Sequence, residues 1–150
     1  MANADSVGQN TQDSFSNYRL GIIRGTTLNT SGNAVITIPF LSGGLTNSGS
    51  TATSGAVIVR RVTVQNPSGS VASANVSFGL TNDGGNLITA NTVISSVSAA
   101  GKFQDISVSA TYQTTAITGN TTQCLYVNVN TASGNANTAD IVIWGDVVSF

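Results

Sequence analysis

Hydrophobic and polar residues alternate along much of this chain, which is the pattern of strands with one buried face. The clearest stretch is residues 55–81, where two strand-like runs flank an Asn66-Pro67-Ser68-Gly69 segment whose residues suit a tight turn. We expect a hairpin of two long strands there. In its second half the apolar residues at every other position are Ala74, Val76, Phe78 and Leu80.

Similar runs recur at short, regular spacing with turn residues between them, and none has the period of a helix. About eight strands of this kind predict an all-β fold, an antiparallel β-sandwich of the jelly-roll type. The predicted strands outside the hairpin are residues 18–24, 34–40, 87–97, 102–109, 112–117, 122–130 and 139–150.

Some strands depart from simple alternation in informative ways. The apolar positions change register at Arg60-Arg61, and a β-bulge there would restore one apolar face. We expect one of the two arginines to point outward and the other to pair with an Asp, although the pair could also form a fork for a carboxylate or phosphate. Pro39 predicts a strand end or a sheet edge.

The first and last strands carry apolar side chains in different arrangements. In residues 18–24 we expect Tyr18, Leu20 and Ile22 to share a side. Residues 139–150 are apolar on both faces, so that strand is either central in the sandwich or covered by another subunit.

Two segments without an apolar pattern are candidates for contact with a partner. Residues 1–16 predict an extended or flexible arm in front of a single domain, residues 17–150, and residues 41–55 predict a long loop. A floppy terminus and a solvated loop without function are the alternatives. The residues proposed for contact with a partner or another subunit are Phe15, Tyr18, Arg19, Leu41, Leu45 and Trp144.

Charge is scarce in this sequence. Charged residues make up 7% of the chain, the net charge is −1 and Glu is absent, whereas soluble domains carry about 25% charged residues. Such weak electrostatic protection favours a protein that works inside an assembly, and a soluble sandwich dispersed by hydration is the alternative. Five basic residues among six acids argue against a nucleic-acid partner.

The sequence offers little for catalysis. There is no His, and the six Asp residues show no motif spacing, so the usual bases and metal sites are missing. We expect Asp140 and Asp146 to face outward from the last strand. We predict a non-enzymatic protein without cofactor or metal.

The single cysteine, Cys124, lies in a strand-like run of alternating apolar residues. This position predicts a small buried side chain. A lone cysteine forms no intrachain disulfide, and the N-terminal residues lack a targeting pattern or a membrane-spanning run. These features predict synthesis in a reducing host cytoplasm and no membrane partner.

Three segments carry a resemblance to a known class of protein. They are RRVTVQNPSGS at residues 60–70, the NDGG turn at residues 82–85 and IVIWGDVV at residues 141–148. The chain from Tyr18 onward resembles the capsid decoration, or cement, proteins of tailed bacteriophages. That resemblance implies a virion protein on the outer capsid surface, a homo-oligomer with a trimer favoured, and the major capsid protein as its partner.

Two other functions fit the same composition. One is the receptor- or carbohydrate-binding head of a phage fibre, although such sites use exposed aromatic residues, and only 6% of this chain is aromatic. The other is a small jelly-roll coat protein that builds a shell by itself.

Overall fold

Two antiparallel sheets packed face to face make up the described part of the chain. The structure is a computed structural model and describes residues 18–39, 55–115, 117–118 and 124–149. Within these ranges lie nine strands and one short helix, as follows: β1 (Tyr18–Thr27), β2 (Gly32–Pro39), β3 (Gly55–Gln65), β4 (Asn75–Gly79), β5 (Thr92–Val93), β6 (Gln104–Ser107), α1 (Ala110–Thr114), β7 (Ile117–Thr118), β8 (Cys124–Thr131) and β9 (Thr138–Ser149).

The strand pairs are nested like a long hairpin folded back on itself. β1 pairs with β9, β2 with β8, β3 with β6 and β7, and β4 with β5, all antiparallel. Pairing of β9 with β3 and of β8 with β4 completes the sheets. The first sheet has the order β1-β9-β3-β6, with β7 beside β3, and the second has the order β2-β8-β4-β5. This is the jelly-roll arrangement, which confirms the predicted fold class.

Alternating side chains of both sheets form one core between them. Val62 and Val64 of the first sheet and Phe78 and Val127 of the second are fully or almost fully buried and belong to the same apolar cluster. Because successive residues of a strand point to opposite faces, the residues between them form the outer faces. Cys124 is buried, as predicted.

The predicted hairpin in residues 55–81 is wrong in its pairing. Both runs contain strands, but β3 belongs to the first sheet and β4 to the second. The turn residues do bend the chain, with Asn66 at a φ of 51°. Val71, in the connection after this turn, is fully buried and belongs to the core. Turn chemistry fixes where a chain bends, whereas pairing depends on distant strands.

Other expected strands differ in detail. In β1, Leu20 is buried and Ile23 packs against the core, whereas Ile22 lies opposite Val142, which is buried but lies outside the core cluster. The expected single face of Tyr18, Leu20 and Ile22 is therefore wrong for Leu20 and Ile22, because the register with β9 shifts between Arg19 and Gly21.

The expected strands at residues 87–97 and 112–117 are also largely absent from the described structure. The first contains only the two-residue β5 and isolated bridges at Leu87 and Thr89. The second begins as α1, a helix that the alternation did not indicate, and ends in β7. α1 separates β6 from β7, which both pair with β3, so one edge of the first sheet is interrupted.

Two further expectations are confirmed. β9 is central in the first sheet, between β1 and β3, and β2 is an edge strand that ends at Pro39. By contrast, Asp140 of β9 is buried rather than exposed. Its carboxylate accepts hydrogen bonds from the Gly25 backbone N–H, at 2.8 Å, and from the Asn66 side chain, at 3.1 Å.

Candidate functional site

The jelly-roll topology brings several chain junctions to one end of the sandwich. β1 begins there at Tyr18, β2 ends at Pro39, β3 begins at Gly55 and β8 begins at Cys124, and the strand registers place these four residues at the same end. We call this the arm end. The opposite end, with the connections at residues 28–31, 66–74 and 132–137, is the loop end.

The loop end is closed by hydrogen bonds between short connections. Ser68 and Thr138 bond through their backbones at 2.8 Å, and the Asn135 and Asn137 side chains donate to the Ser70 carbonyl oxygen at 2.9 and 3.0 Å. The Ser133 N–H donates to the Leu28 carbonyl oxygen at 2.7 Å. Because these polar groups satisfy one another, the loop end offers few free groups to a ligand.

Three side chains form a row across the outer face of the first sheet, next to the start of β1 and in the middle of β3 and β9. Arg19 of β1 and Arg61 of β3 lie opposite Trp144 of β9, one on each side. Residues directly opposite in antiparallel strands project from the same face. We call these three residues the arginine–tryptophan row.

Two β-bulges produce this row. The register with β9 shifts in β1 between Arg19 and Gly21, and in β3 between Val59 and Arg61. The second shift confirms the bulge predicted at the arginine pair. It lets Val59 and Val62 both reach the core and brings Arg61 opposite Trp144.

Arg61 stacks on the tryptophan. Its guanidinium carbon lies 5.4 Å from the centroid of the Trp144 ring, within the range of a cation–π contact. Its Nε is 3.9 Å from Asp105 Oδ1, a long ion pair between side chains that are 42% and 45% exposed. That same oxygen accepts a 2.5 Å hydrogen bond from the Thr63 hydroxyl. Arg61 is thus loosely held.

Arg60 is held much more tightly than its neighbour. Its Nε and Nη2 lie 2.7 and 2.6 Å from Asp146 Oδ2, and its Nη1 donates to the Gln113 carbonyl oxygen at 2.6 Å. This guanidinium joins β3, β9 and α1. The predicted pairing of one arginine with an Asp is confirmed for Arg60.

Buried polar atoms without partners concentrate around the row. Four such side-chain atoms occur in the described part of the chain, and three of them are Trp144 Nε1, Arg61 Nε and Asp146 Oδ1. Native structures contain few such atoms, since each costs about 1–3 kcal/mol. The outer face of the first sheet is therefore incompletely hydrogen-bonded.

The residue types of the row suit binding to a protein partner. Within the ranges that the structure describes, no three His, Cys, Asp or Glu side chains are grouped to hold a metal ion. Arginine and tryptophan are residues that often dominate protein interfaces.

No helix among the described residues has both the length and the apolar character needed to cross a membrane.

The proposed contact residues are placed as follows. Tyr18 opens β1 opposite Gly145, and Arg19 and Trp144 lie opposite each other in the row. Phe15, Leu41 and Leu45 lie outside the described residues. The segment that contains Leu41 and Leu45 joins the end of β2 to the start of β3, and both of these junctions are at the arm end.

Sequence reasoning missed two features of the surface. It did not place Arg61 beside Trp144, although the register change at residues 60–61 was the available signal. It also did not identify the exposed apolar residues, which in the described ranges are Leu87, Val93 and Phe103.

Comparisons with known proteins give no relative. No family model matches the chain, no curated protein matches its sequence, and no solved structure matches its fold.

Proposed function

We propose that this chain is a structural virion protein that decorates the outer surface of a phage capsid and stabilises the seams between capsomers. The observation that carries the proposal is that the candidate contact residues within the described chain fall on the arm end and on the adjoining outer face of the first sheet. Tyr18 and the two junctions of the segment 40–54 lie at the arm end, and Arg19, next to Tyr18, lies opposite Trp144 on that face. A protein that attaches through this surface needs its contact groups there.

The near-neutral composition supports the same role. With 7% charged residues, the chain has little charge to keep free copies apart, which matters less for a protein bound in an assembly. A decoration protein that binds the assembled shell and not its separate subunits stabilises the shell by mass action. Attachment as a homotrimer to the major capsid protein would add avidity without new contacts.

Deletion of residues 1–16 tests this attachment. We expect the truncated protein to keep the unfolding transition of the full chain and to lose sedimentation with empty phage heads. Phe103→Ser is the matched control, because Phe103 is 60% exposed and lies in the connection before β6, away from the arm end. Full occupancy of heads by the truncated protein would contradict the role assigned to the arm.

A coat protein that builds its own shell is the second candidate, and the nested strand order favours it because viral coat proteins often use jelly rolls. The purified full chain distinguishes the two. Closed particles formed in the absence of other proteins would support the coat protein, whereas a small oligomer that saturates empty heads would support decoration.

A further inference from the structure

We propose that the arginine–tryptophan row recognises carboxylate side chains on a protein partner. This inference rests on the proposed function, because it names the chemistry by which the outer face of the first sheet would contact a capsid. The partner it predicts is a protein surface with exposed Asp or Glu residues beside the row.

The first step concerns which arginines are available. Arg60 is already bound to Asp146 and to the Gln113 carbonyl oxygen. Arg19 is exposed, and within the described residues it has no ion pair or hydrogen-bonding side-chain partner. Arg61 has only the 3.9 Å contact with Asp105 besides its stacking on Trp144. Among the described residues, the two cations on either side of the Trp144 ring thus have one long ion pair between them, which leaves guanidinium N–H groups for an anion.

The second step concerns the charge of the surrounding face. Arg60 and Asp146 neutralise each other, and Asp105 offsets one of the two remaining arginines. The face around the row thus keeps an excess of about one positive charge by this formal count. A carboxylate placed between Arg19 and Arg61 would complement that charge and accept hydrogen bonds from guanidinium groups.

The third step concerns the size of the anion. Asp105 and Asp146 border the row, so a continuous polyanion such as a nucleic-acid backbone would meet their negative charges as well as the arginines. A single carboxylate avoids them. Protein carboxylates are therefore favoured over phosphates of nucleic acid.

The fourth step concerns Trp144. Its ring is half-buried, and its Nε1 lacks a partner, as does Arg61 Nε beside it. Both atoms are buried in the protein alone, and the Arg61 guanidinium lies 5.4 Å from the centroid of the Trp144 ring. Binding that draws Arg61 toward a carboxylate would change the environment of Trp144.

Trp144 is the single tryptophan of the chain, which makes it a reporter for this site. We would titrate the full-length protein with an end-blocked peptide that carries one Glu among neutral residues, and follow the indole N–H signal and the tryptophan fluorescence. A saturable change that weakens as salt is added is the expected result. A single-stranded oligonucleotide, titrated in parallel, should bind more weakly, because its further phosphates would meet Asp105 and Asp146.

Variants assign the response to the row. Arg19→Gln and Arg61→Gln should each weaken peptide binding by roughly threefold to tenfold, as expected for loss of one charged hydrogen bond at a partly exposed site. Arg24→Gln is the matched control, because Arg24 is also exposed on β1 but lies in its second register shift. It should bind like the natural protein.

Several outcomes would overturn the inference. Equal weakening by Arg24→Gln would mean attraction to net charge alone, and tighter binding of the oligonucleotide would assign the row to phosphate. If the Trp144 signals did not change while the peptide bound, binding would lie elsewhere and the proposed site would be wrong. If deletion of residues 1–16, which contain Asp5 and Asp13, strengthened peptide binding, the row would belong to the chain's own arm.

Phage heads separate this inference from the proposed function. If heads bind the natural protein and the Arg19 and Arg61 variants equally well, decoration stands and the carboxylate site falls. If the peptide binds through the row and heads do not bind at all, the capsid role falls while the site remains.

Discussion

The two sheets of this sandwich have similar inner faces and very different outer faces. The strands of the first sheet contain Arg19, Arg24, Arg60, Arg61, Asp105, Asp140 and Asp146, whereas the strands of the second sheet, over their described ranges, contain no charged residue. Within the part of the chain that the structure describes, charge is thus confined to the strands of the first sheet and to connections.

Amides and hydroxyls replace charge on the second sheet. Ser77 and Asn128 are buried on its outer side, and the Asn130 side chain donates to Ser77 Oγ and to Asn91 Oδ1, both at 3.2 Å. Neutral hydrogen bonds of this kind satisfy a surface without attracting an ion. The outer face of the first sheet is therefore the one that suits a charged partner.

Substitution of a closely packed glycine in each sheet gives the largest expected effect, which is a loss of folding stability. A methyl group at Gly145 in the first sheet would collide with the Ile58 carbonyl oxygen, and one at Gly79 in the second would lie 2.8 Å from the Gly85 carbonyl oxygen. The Gly85 loop can shift, but Ile58 is held within β3. We expect Gly145→Ala to lower the free energy of unfolding by about 3 kcal/mol or more, and Gly79→Ala to lower it by about 1–2 kcal/mol.

Urea unfolding of both variants measures the difference. Gly101→Ala is a control, because Gly101 has open space but a φ of +78°, so it reports backbone strain of about 1 kcal/mol without a collision. Equal losses at Gly145 and Gly79 would show that the first sheet is no more rigid than the second.

Coupling between side chains gives the next effect. A double-mutant cycle on Arg60 and Asp146, which lie 2.6 Å apart, should give a coupling free energy of about 1–2 kcal/mol that falls as salt is added. The cycle on Ser77 and Asn130 in the second sheet should give about 0.5 kcal/mol and ignore salt. Chemical unfolding at low and high salt measures both. A salt-independent Arg60–Asp146 coupling would contradict the electrostatic contrast.

The smallest effect concerns Asp83, in the connection after β4. Hydrogen bonds from the Thr81 hydroxyl and the Gly85 backbone N–H hold the pKa of this carboxyl below its ordinary value of 3.8. Since folding favours the carboxylate, its stabilisation is present above the ordinary pKa and is lost as pH falls through the lower folded pKa.

An NMR titration of the Asp83 carboxyl checks this direction. Thr81→Val removes the donor with the largest effect and should return the pKa toward 3.8. An unchanged pKa in that variant would assign the shift to the Gly85 N–H instead.

Local features of the fold could be predicted from the sequence. The bulge at Arg60-Arg61 was visible because an apolar face that changes register must be repaired if the strand is to reach the core. The β-sandwich class also followed from the alternation, and the two apolar faces of β9 indicated either a central place in the sandwich, which it has, or cover by another subunit. Each of these rests on residues close together in the chain.

Features that depend on strand order could not be predicted in the same way. Residues 55–81 were predicted to form a hairpin because the turn residues are favourable, but β3 pairs with β9 and β4 pairs with β8. The adjacency of Arg19, Trp144 and Arg61 likewise requires three distant segments in one sheet. Alternation indicates which face a residue takes and not which strand lies beside it.

The nested pairing also bears on how the protein folds. The innermost pair, β4 with β5, joins strands separated by a short connection. The outermost pair, β1 with β9, joins residues far apart in the chain, such as Tyr18 and Gly145. Since closing longer loops costs more chain entropy, we expect the outer pair to form late. Arg19, Trp144 and Arg61 come together only at that step, so a partly folded copy would not present a complete binding surface.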